Sequence, residues 1–164
     1  MKQSILIGMA VSLMVIGGVF AYQMATRETR ELYTNEQYQF SMRVPAGFAV
    51  REIPGEKGVP DVVVIQNEQG EGVQILISPF GEDVRDLSKE RIRAAIPQLV
   101  IQAESVMQIG ATHTGLLFTS NSEAFDGASR EGWFVFKGNL YQLSTYARLN
   151  PLLLEILGTW KFYN

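Results

Sequence analysis

The chain has 164 residues, of which 46% are hydrophobic and 19% are charged, and this composition excludes wholesale disorder. The formal net charge is −3, and no cluster of lysine and arginine is present, so nucleic acid is not an expected partner. Cysteine is absent, which excludes disulfides, thiolate metal sites and a cysteine nucleophile.

The amino-terminal segment is apolar. All residues between Lys2 and Arg27 are uncharged. A helix of about 20 apolar residues crosses the hydrocarbon core of a bilayer. Residues 1–26 are therefore predicted to be a transmembrane anchor, or a signal segment, that contacts the membrane through residues 4–24.

Two interpretations of this segment stay open. It is a permanent anchor, or it is a signal peptide cleaved after Ala21, where Val19 and Ala21 are the small residues before the bond. We favour the anchor because the apolar run is long. We expect a single-pass protein of the plasma membrane with its domain on the extracytoplasmic side, periplasmic or at the cell surface, and a secreted protein if the segment is cleaved.

Residues 27–34 are predicted to be a polar juxtamembrane spacer, and residues 35–164 a soluble domain. The domain begins with β-branched and aromatic runs separated by proline and glycine, a pattern typical of strands joined by turns. These strands are predicted at residues 38–44, 48–53, 62–65 and 73–77.

A helix is predicted to begin near Ser88, whose hydroxyl can cap its free N–H groups. Leu87 and Ile92 stand at the spacing of a hydrophobic staple, and Pro97 should end or kink the helix. The segment 100–109 is ambiguous between helix and strand, with a strand favoured from Ser105, and residues 114–120 are predicted to return as a strand.

Residues 129–146 predict a hairpin that turns at Gly138-Asn139, with Phe136 opposite Tyr141 and Phe134 opposite Leu143. The other face of this hairpin is only partly polar, and such a face is normally covered by a helix. Its side chains are those of Trp133, Val135, Gln142 and Ser144.

The last helix is predicted from Asn150 as cap, Pro151 at the first helical position and Gly158 as terminator. A short strand follows at residues 160–162. About eight strands and two helices, mostly joined as hairpins, indicate an α+β domain: an antiparallel β-sheet packed against helices.

Both ends of the domain resemble PsbP-like domains. Residues 35–41 (NEQYQFS) and 44–48 (VPAGF) are similar to the start of such domains. Residues 138–143 (GNLYQL), the leucine-rich helix and residues 159–162 (TWKF) are similar to their end. The resemblance covers roughly residues 33–163 and implies an antiparallel sheet between helices.

The resemblance also implies a role in binding proteins, as in the extrinsic subunit of photosystem II or in a Ran-binding relative. Nothing in the sequence matches the photosystem subunit specifically, so that role is not assigned to this chain.

No catalytic motif is present: the sequence has no nucleophile elbow, Walker loop, dinucleotide fingerprint or metalloprotease motif. His113, the single histidine, is expected to be an exposed polar residue in a turn. Glu82, Asp83 and Asp86 form an acidic cluster, but their spacing is not that of an EF-hand. We expect no catalytic, cofactor-binding or metal-ligating residue.

The large aromatic residues are expected to lie mainly in the core, with Trp133 as the exception because it lies off the main apolar face of the hairpin. The candidate interaction surface is therefore Trp133, Val135 and Tyr146. The sequence predicts a non-enzymatic protein-binding or assembly module that is held at the membrane. The alternative is an envelope protein that binds a small ligand or a metal ion.

Overall fold

The computed structural model describes residues 30–81 and 87–163. The predicted membrane segment and the acidic cluster lie outside these residues. No helix within the two described ranges is long and apolar enough to cross a membrane.

The described residues form ten strands, two α-helices and two short 3₁₀ turns. The strands are β1 (Glu31–Asn35), β2 (Phe40–Val44), β3 (Ala49–Ile53), β4 (Asp61–Gln66), β5 (Gly72–Pro79), β6 (Gln102–Ile109), β7 (His113–Ser120), β8 (Ser129–Phe136), β9 (Asn139–Tyr146) and β10 (Lys161–Phe162). The helices are α1 (Lys89–Ala95) and α2 (Asn150–Thr159), and the 3₁₀ turns are Glu123–Phe125 and Ala147–Leu149.

The strands form two antiparallel sheets. The small sheet has the order β1-β2-β10, and the large sheet has the order β3-β4-β5-β9-β8-β7-β6. The predicted α+β class with an antiparallel sheet is confirmed. We call the side of the large sheet that meets α2 and the small sheet its first face, and the opposite side its second face.

Alternation of side chains sets the two faces of the large sheet. Val63 and Ile65 on β4 are buried on the first face, whereas Val62 and Val64, which alternate with them, are only half-buried. Successive side chains of a strand point to opposite sides of the sheet, so the β-branched run of β4 supplies both faces.

The first face carries an aromatic core. The rings of Phe40 and Trp160 stack with their centroids 4.3 Å apart, and those of Phe134 and Tyr141 stack at 4.9 Å. Trp160 is 1% exposed, as expected for a core residue. Helix α2 closes this core with three buried side chains: Leu153, Ile156 and Leu157.

The β8–β9 hairpin turns one residue earlier than the sequence predicts. Lys137 and Gly138 are the two turn residues, and both have positive φ, 46° and 71°, as a type I′ turn requires. Phe134 therefore pairs with Tyr141 and not with Leu143. The pairing moves by two residues, an even number, so each side chain stays on its predicted face.

Helix α1 begins as predicted. The Ser88 hydroxyl accepts a hydrogen bond from the backbone N–H of Arg91 at 3.3 Å, and Leu87 and Ile92 are buried in the second-face cluster. The helix ends at Ala95, two residues before Pro97, because proline disfavours the helical conformation of the residue that precedes it.

Residues 31–34, the second half of the predicted spacer, belong to strand β1, which pairs with β2 from Glu31 to Asn35. Two predictions for α2 are wrong. Asn150 does not cap α2: the N-cap is Leu149, and the Asn150 side-chain oxygen accepts a hydrogen bond from Arg130 Nε at 2.9 Å. The helix also continues through Gly158 to Thr159.

Candidate interaction surface on the second face of the large sheet

The three residues of the predicted interaction surface lie on the second face. Trp133 pairs with Gln142 across the β8–β9 hairpin, and Ser129 pairs with Tyr146. Because alternate residues of a strand share a face, Val135 also lies on this side. The structure thus brings the three side chains to one face, and their exposure decides whether they form a surface.

Trp133 and Val135 are not at the surface. They are 5% and 4% exposed, and they belong to a cluster with Leu87, Ile92 and Ile101 from the segment that contains α1. The prediction that Trp133 lies outside the core is therefore wrong. The covering helix that was expected over this face is present, and Trp133 is the residue that it covers.

Tyr146 remains half-buried at the rim of the second face. Its ring meets the Phe125 ring edge-on at 5.3 Å, and the Arg148 guanidinium lies 4.3 Å from the ring centroid. Arg148 also pairs with Glu71 at 2.6 Å, and this hydrogen bond lowers the pKa of the Glu71 carboxyl. Two neighbouring side chains thus contact the Tyr146 ring, which offers only part of its surface to a partner.

A buried carboxylate lies on the same face. Glu131 Oε2 accepts hydrogen bonds from Ser144 Oγ at 2.6 Å and from Trp133 Nε1 at 3.0 Å. Burial raises the pKa of Glu131, and these hydrogen bonds oppose that rise only in part. The buried Ser129 hydroxyl, at the start of the same strand, has no hydrogen-bond partner among the described residues.

The sequence analysis did not predict a role for Glu131. Strand alternation could have placed it, because a residue two positions before Trp133 lies on the same face. An acidic side chain on a face that a helix is expected to cover should be buried and paired. Ser144 was recognised on this face, and it is one of the two hydrogen-bond donors.

The half of the second face on β3, β4 and β5 lies beyond the α1 cluster. Ile53 pairs with Val62, and Val62 pairs with Leu76, so the three form one row across the strands. Ile53 is 37% exposed, and Val62, Val64 and Leu76 are half-buried. We call these four residues the aliphatic row; none of them belongs to the cluster under α1.

Arg51 borders the aliphatic row. It pairs with Val64 on the neighbouring strand and is exposed. The second face therefore combines a covered half with a buried carboxylate and a partly exposed aliphatic half with a cation at its edge.

The fold of the chain is similar to that of a solved structure, cyanobacterial PsbP (CyanoP) from Synechocystis sp. PCC 6803. The TM-score is 0.55 at 13% sequence identity, and the match covers 90% of this chain and 99% of that chain. The domain has a PsbP-like fold. No family model and no curated protein matches the sequence.

The PsbP-like fold places His113 at the start of β7, half-buried and not in an open turn. Its ring centroid lies 5.0 Å from that of Phe136 and 4.8 Å from that of Phe162, and Nδ1 lies 2.7 Å from Thr112 Oγ1. In residues 30–81 and 87–163 of this PsbP-like domain, no three His, Cys, Asp or Glu side chains converge to hold a metal ion.

Proposed function

We propose that this PsbP-like domain is a non-enzymatic protein-binding or assembly module, held at the extracytoplasmic side of the plasma membrane by residues 4–24. The aliphatic row on the second face carries the proposal. An apolar sheet face is normally covered by another layer of structure, and here the α1 segment covers one half while the row forms the other.

The composition of the row fits a protein partner. Interface centres are apolar and poor in charge, while their rims are polar. Three β-branched side chains and one leucine form the centre here, and Arg51 and Gln74 border them. The partner that fits presents an apolar strip with an acidic side chain opposite Arg51.

The buried carboxylate also favours a non-enzymatic role. Glu131 is the described carboxyl with a pKa raised by burial, and raised acids are often general acids when they line a cleft. Here the carboxylate is 6% exposed and is hydrogen-bonded to Trp133 and Ser144. A substrate therefore has no access to it, and its role is to hold β8 and β9 together.

The test is site-specific crosslinking of the full-length chain in its native membranes. The chain lacks cysteine, so Val62→Cys introduces a unique attachment point for a crosslinker in the aliphatic row. We expect Val62→Cys to capture a reproducible partner. Val106→Cys is the matched control, since Val106 is an exposed aliphatic residue at the opposite edge of the same sheet, and it should not capture that partner.

The specificity of this capture is tested by mutation. Ile53→Glu with Arg51→Glu should reduce the captured partner at least tenfold, because a charge at the centre of an interface and a reversed charge at its rim both oppose binding. The far-UV spectrum and melting temperature should stay close to those of the wild type, since both residues are on an edge strand. Equal capture from positions 62 and 106, or undiminished capture by the folded double variant, contradicts the proposal.

A further inference from the structure

The small sheet has an outer face that points away from the core. Tyr33, Phe40 and Met42 point inward to the aromatic core, so the residues that alternate with them point outward. The outer face carries two cations, an exposed leucine and two hydroxyl groups: Arg43, Lys161, Leu32, Thr34 and Ser41.

A shallow depression of about 380 Å³ lies at this face between Arg43 and Lys161. The other lining residues carry no charge: Gly110, Ala111, Gly158, Thr159 and Trp160. Neither Arg43 nor Lys161 forms an ion pair with an acidic side chain of the described residues. The two cations are therefore available to an external anion.

The carboxyl end of α2 also reaches this depression, and free carbonyl groups there would weaken its attraction for anions. Two carbonyl groups of the last turn are hydrogen-bonded within the protein: Leu157 O accepts from Gly110 N at 2.9 Å and from Trp160 N at 3.3 Å, and Ile156 O accepts from Thr159 Oγ1 at 3.0 Å. A helix terminus carries about half an elementary charge, so the two full positive charges of Arg43 and Lys161 outweigh it at the depression.

The position of this face in the chain connects it with the predicted membrane segment. Residues 25–30 separate that segment from β1 and span at most about 20 Å when extended. Strand β1 is an outer strand of the small sheet, and Leu32 is 61% exposed and pairs with Arg43. An exposed apolar side chain beside cations is typical of surfaces that lie on anionic membranes.

We propose that the outer face of the small sheet lies on the membrane surface, with Arg43 and Lys161 binding the phosphate groups of anionic lipids. The proposal rests on the membrane tether of the proposed function, and it leaves the aliphatic row free for a protein partner. The bound lipid orients the domain, because the tether alone restricts only its distance from the bilayer.

The experiment uses the full-length chain in nanodiscs of phosphatidylcholine with or without phosphatidylglycerol. A fluorophore on Thr34→Cys, the unique cysteine of that variant, reports proximity to a quencher in the lipid headgroup. We expect stronger quenching when phosphatidylglycerol is present and a return to the phosphatidylcholine level in high salt, which screens charge. Quenching of the same fluorophore on Val106→Cys should be the same with and without phosphatidylglycerol.

Charge reversal identifies the residues responsible. Arg43→Glu with Lys161→Glu should abolish the effect of phosphatidylglycerol at position 34, since each basic residue strengthens binding to an anionic surface by about fivefold. Lys57→Glu with Arg93→Glu, an equal change of charge on exposed residues outside both proposed faces, should leave it intact. The proposal is overturned if phosphatidylglycerol does not increase quenching at position 34, or if it still does so after Arg43 and Lys161 are both changed to glutamate.

The tether is tested separately by flotation of the wild-type chain with vesicles of phosphatidylcholine alone. Failure to float refutes the tether, whereas flotation without an effect of phosphatidylglycerol refutes only the lipid-binding face. Capture of a partner at Val62→Cys depends on a different face, so its outcome is independent of the lipid-binding face.

Discussion

The two faces of the large sheet are built differently. The first face is closed by α2 and the small sheet over stacked aromatic rings, with Phe40 on Trp160 and Phe134 on Tyr141. Within residues 30–81 and 87–163, the second face is closed by the α1 segment over one half only. It keeps a carboxylate in its covered part and an aliphatic row in the other part.

This difference suggests separate roles: the first face stabilises the fold, and the second face provides the binding surface. Close-packed aromatic groups tolerate little change in volume, so the first face holds the fold and has no freedom to evolve a binding surface. The aliphatic row is only half-buried, and its side chains can change without opening a cavity. The comparison predicts different responses to equivalent substitutions on the two faces.

The largest effect is expected for Trp160→Ala on the first face. The substitution removes a side chain that is 1% exposed and contacts four other aromatic rings, and such losses cost about 3–5 kcal/mol. Urea denaturation followed by far-UV circular dichroism measures the change. Leu76→Ala in the aliphatic row is the control and should cost about 1 kcal/mol, since partial exposure reduces the hydrophobic loss. Equal losses of unfolding free energy in Trp160→Ala and Leu76→Ala would contradict the proposed difference between the two faces.

A smaller effect is expected for Glu131→Ala on the covered half of the second face. It leaves the Trp133 N–H and the Ser144 hydroxyl without their acceptor. We expect a total cost of about 2 kcal/mol, because an unsatisfied buried polar group costs about 1–3 kcal/mol and Ser144 is only half-buried. Glu131→Gln keeps an acceptor oxygen and should retain most of the stability. If alanine and glutamine are equally tolerated at neutral pH, the carboxylate has no structural role.

The same pair of variants tests the pH dependence. Burial raises the pKa of Glu131 in the folded state, so the folded state binds the proton more tightly than the unfolded state, where the pKa is about 4.3. The contribution of Glu131 to stability is present below that value and is lost as pH rises through the folded pKa. Glu131→Gln should therefore become more stable relative to the wild type from pH 4 upward, measured by thermal melts; a constant difference contradicts the assignment.

The smallest effect is expected at Asp61, a carboxylate away from the second face that serves as a contrast. Partial burial opposes its ionisation, but hydrogen bonds from Tyr38, Gly55 N–H and Gln37 outweigh burial and lower its pKa. Its stabilisation is thus present above the unfolded pKa, about 3.9, and is lost as pH falls through the folded pKa.

Asp61→Asn should cost about 1 kcal/mol at pH 7, since these hydrogen bonds are partly screened by solvent. The difference from the wild type should shrink in acid, opposite in direction to the change for Glu131→Gln. Thermal melts across the acidic range distinguish the two carboxylates, and parallel pH profiles would contradict the contrast.

The local elements were largely predictable from the sequence. The Ser88 cap, the stop before Pro97 and the strands of the first half depend on residues close together in the chain, and the structure confirms them. The position of the β8–β9 turn was missed because Lys137 adopts positive φ, a conformation that sequence signals assign to glycine or asparagine.

The candidate site was predictable only in part. Alternation placed Trp133 and Val135 correctly on the second face and predicted a covering helix, but it did not show which half of the face the helix covers. That coverage depends on the path of the chain from Leu87 to Ile101 over strands β7, β8 and β9, which no local pattern encodes.

The sequence by itself determined the strand pattern, the start and end of α1, the α+β class and the PsbP-like resemblance, because these depend on short-range periodicity, capping and turn chemistry. Tertiary structure alone decided that β1 pairs with β2, that Trp133 is buried and that Glu131 is enclosed. It also decided that Arg43 and Lys161, distant in the chain, share one depression. Each of these facts depends on contacts between residues far apart in sequence, and exposure is a property of the assembled layers.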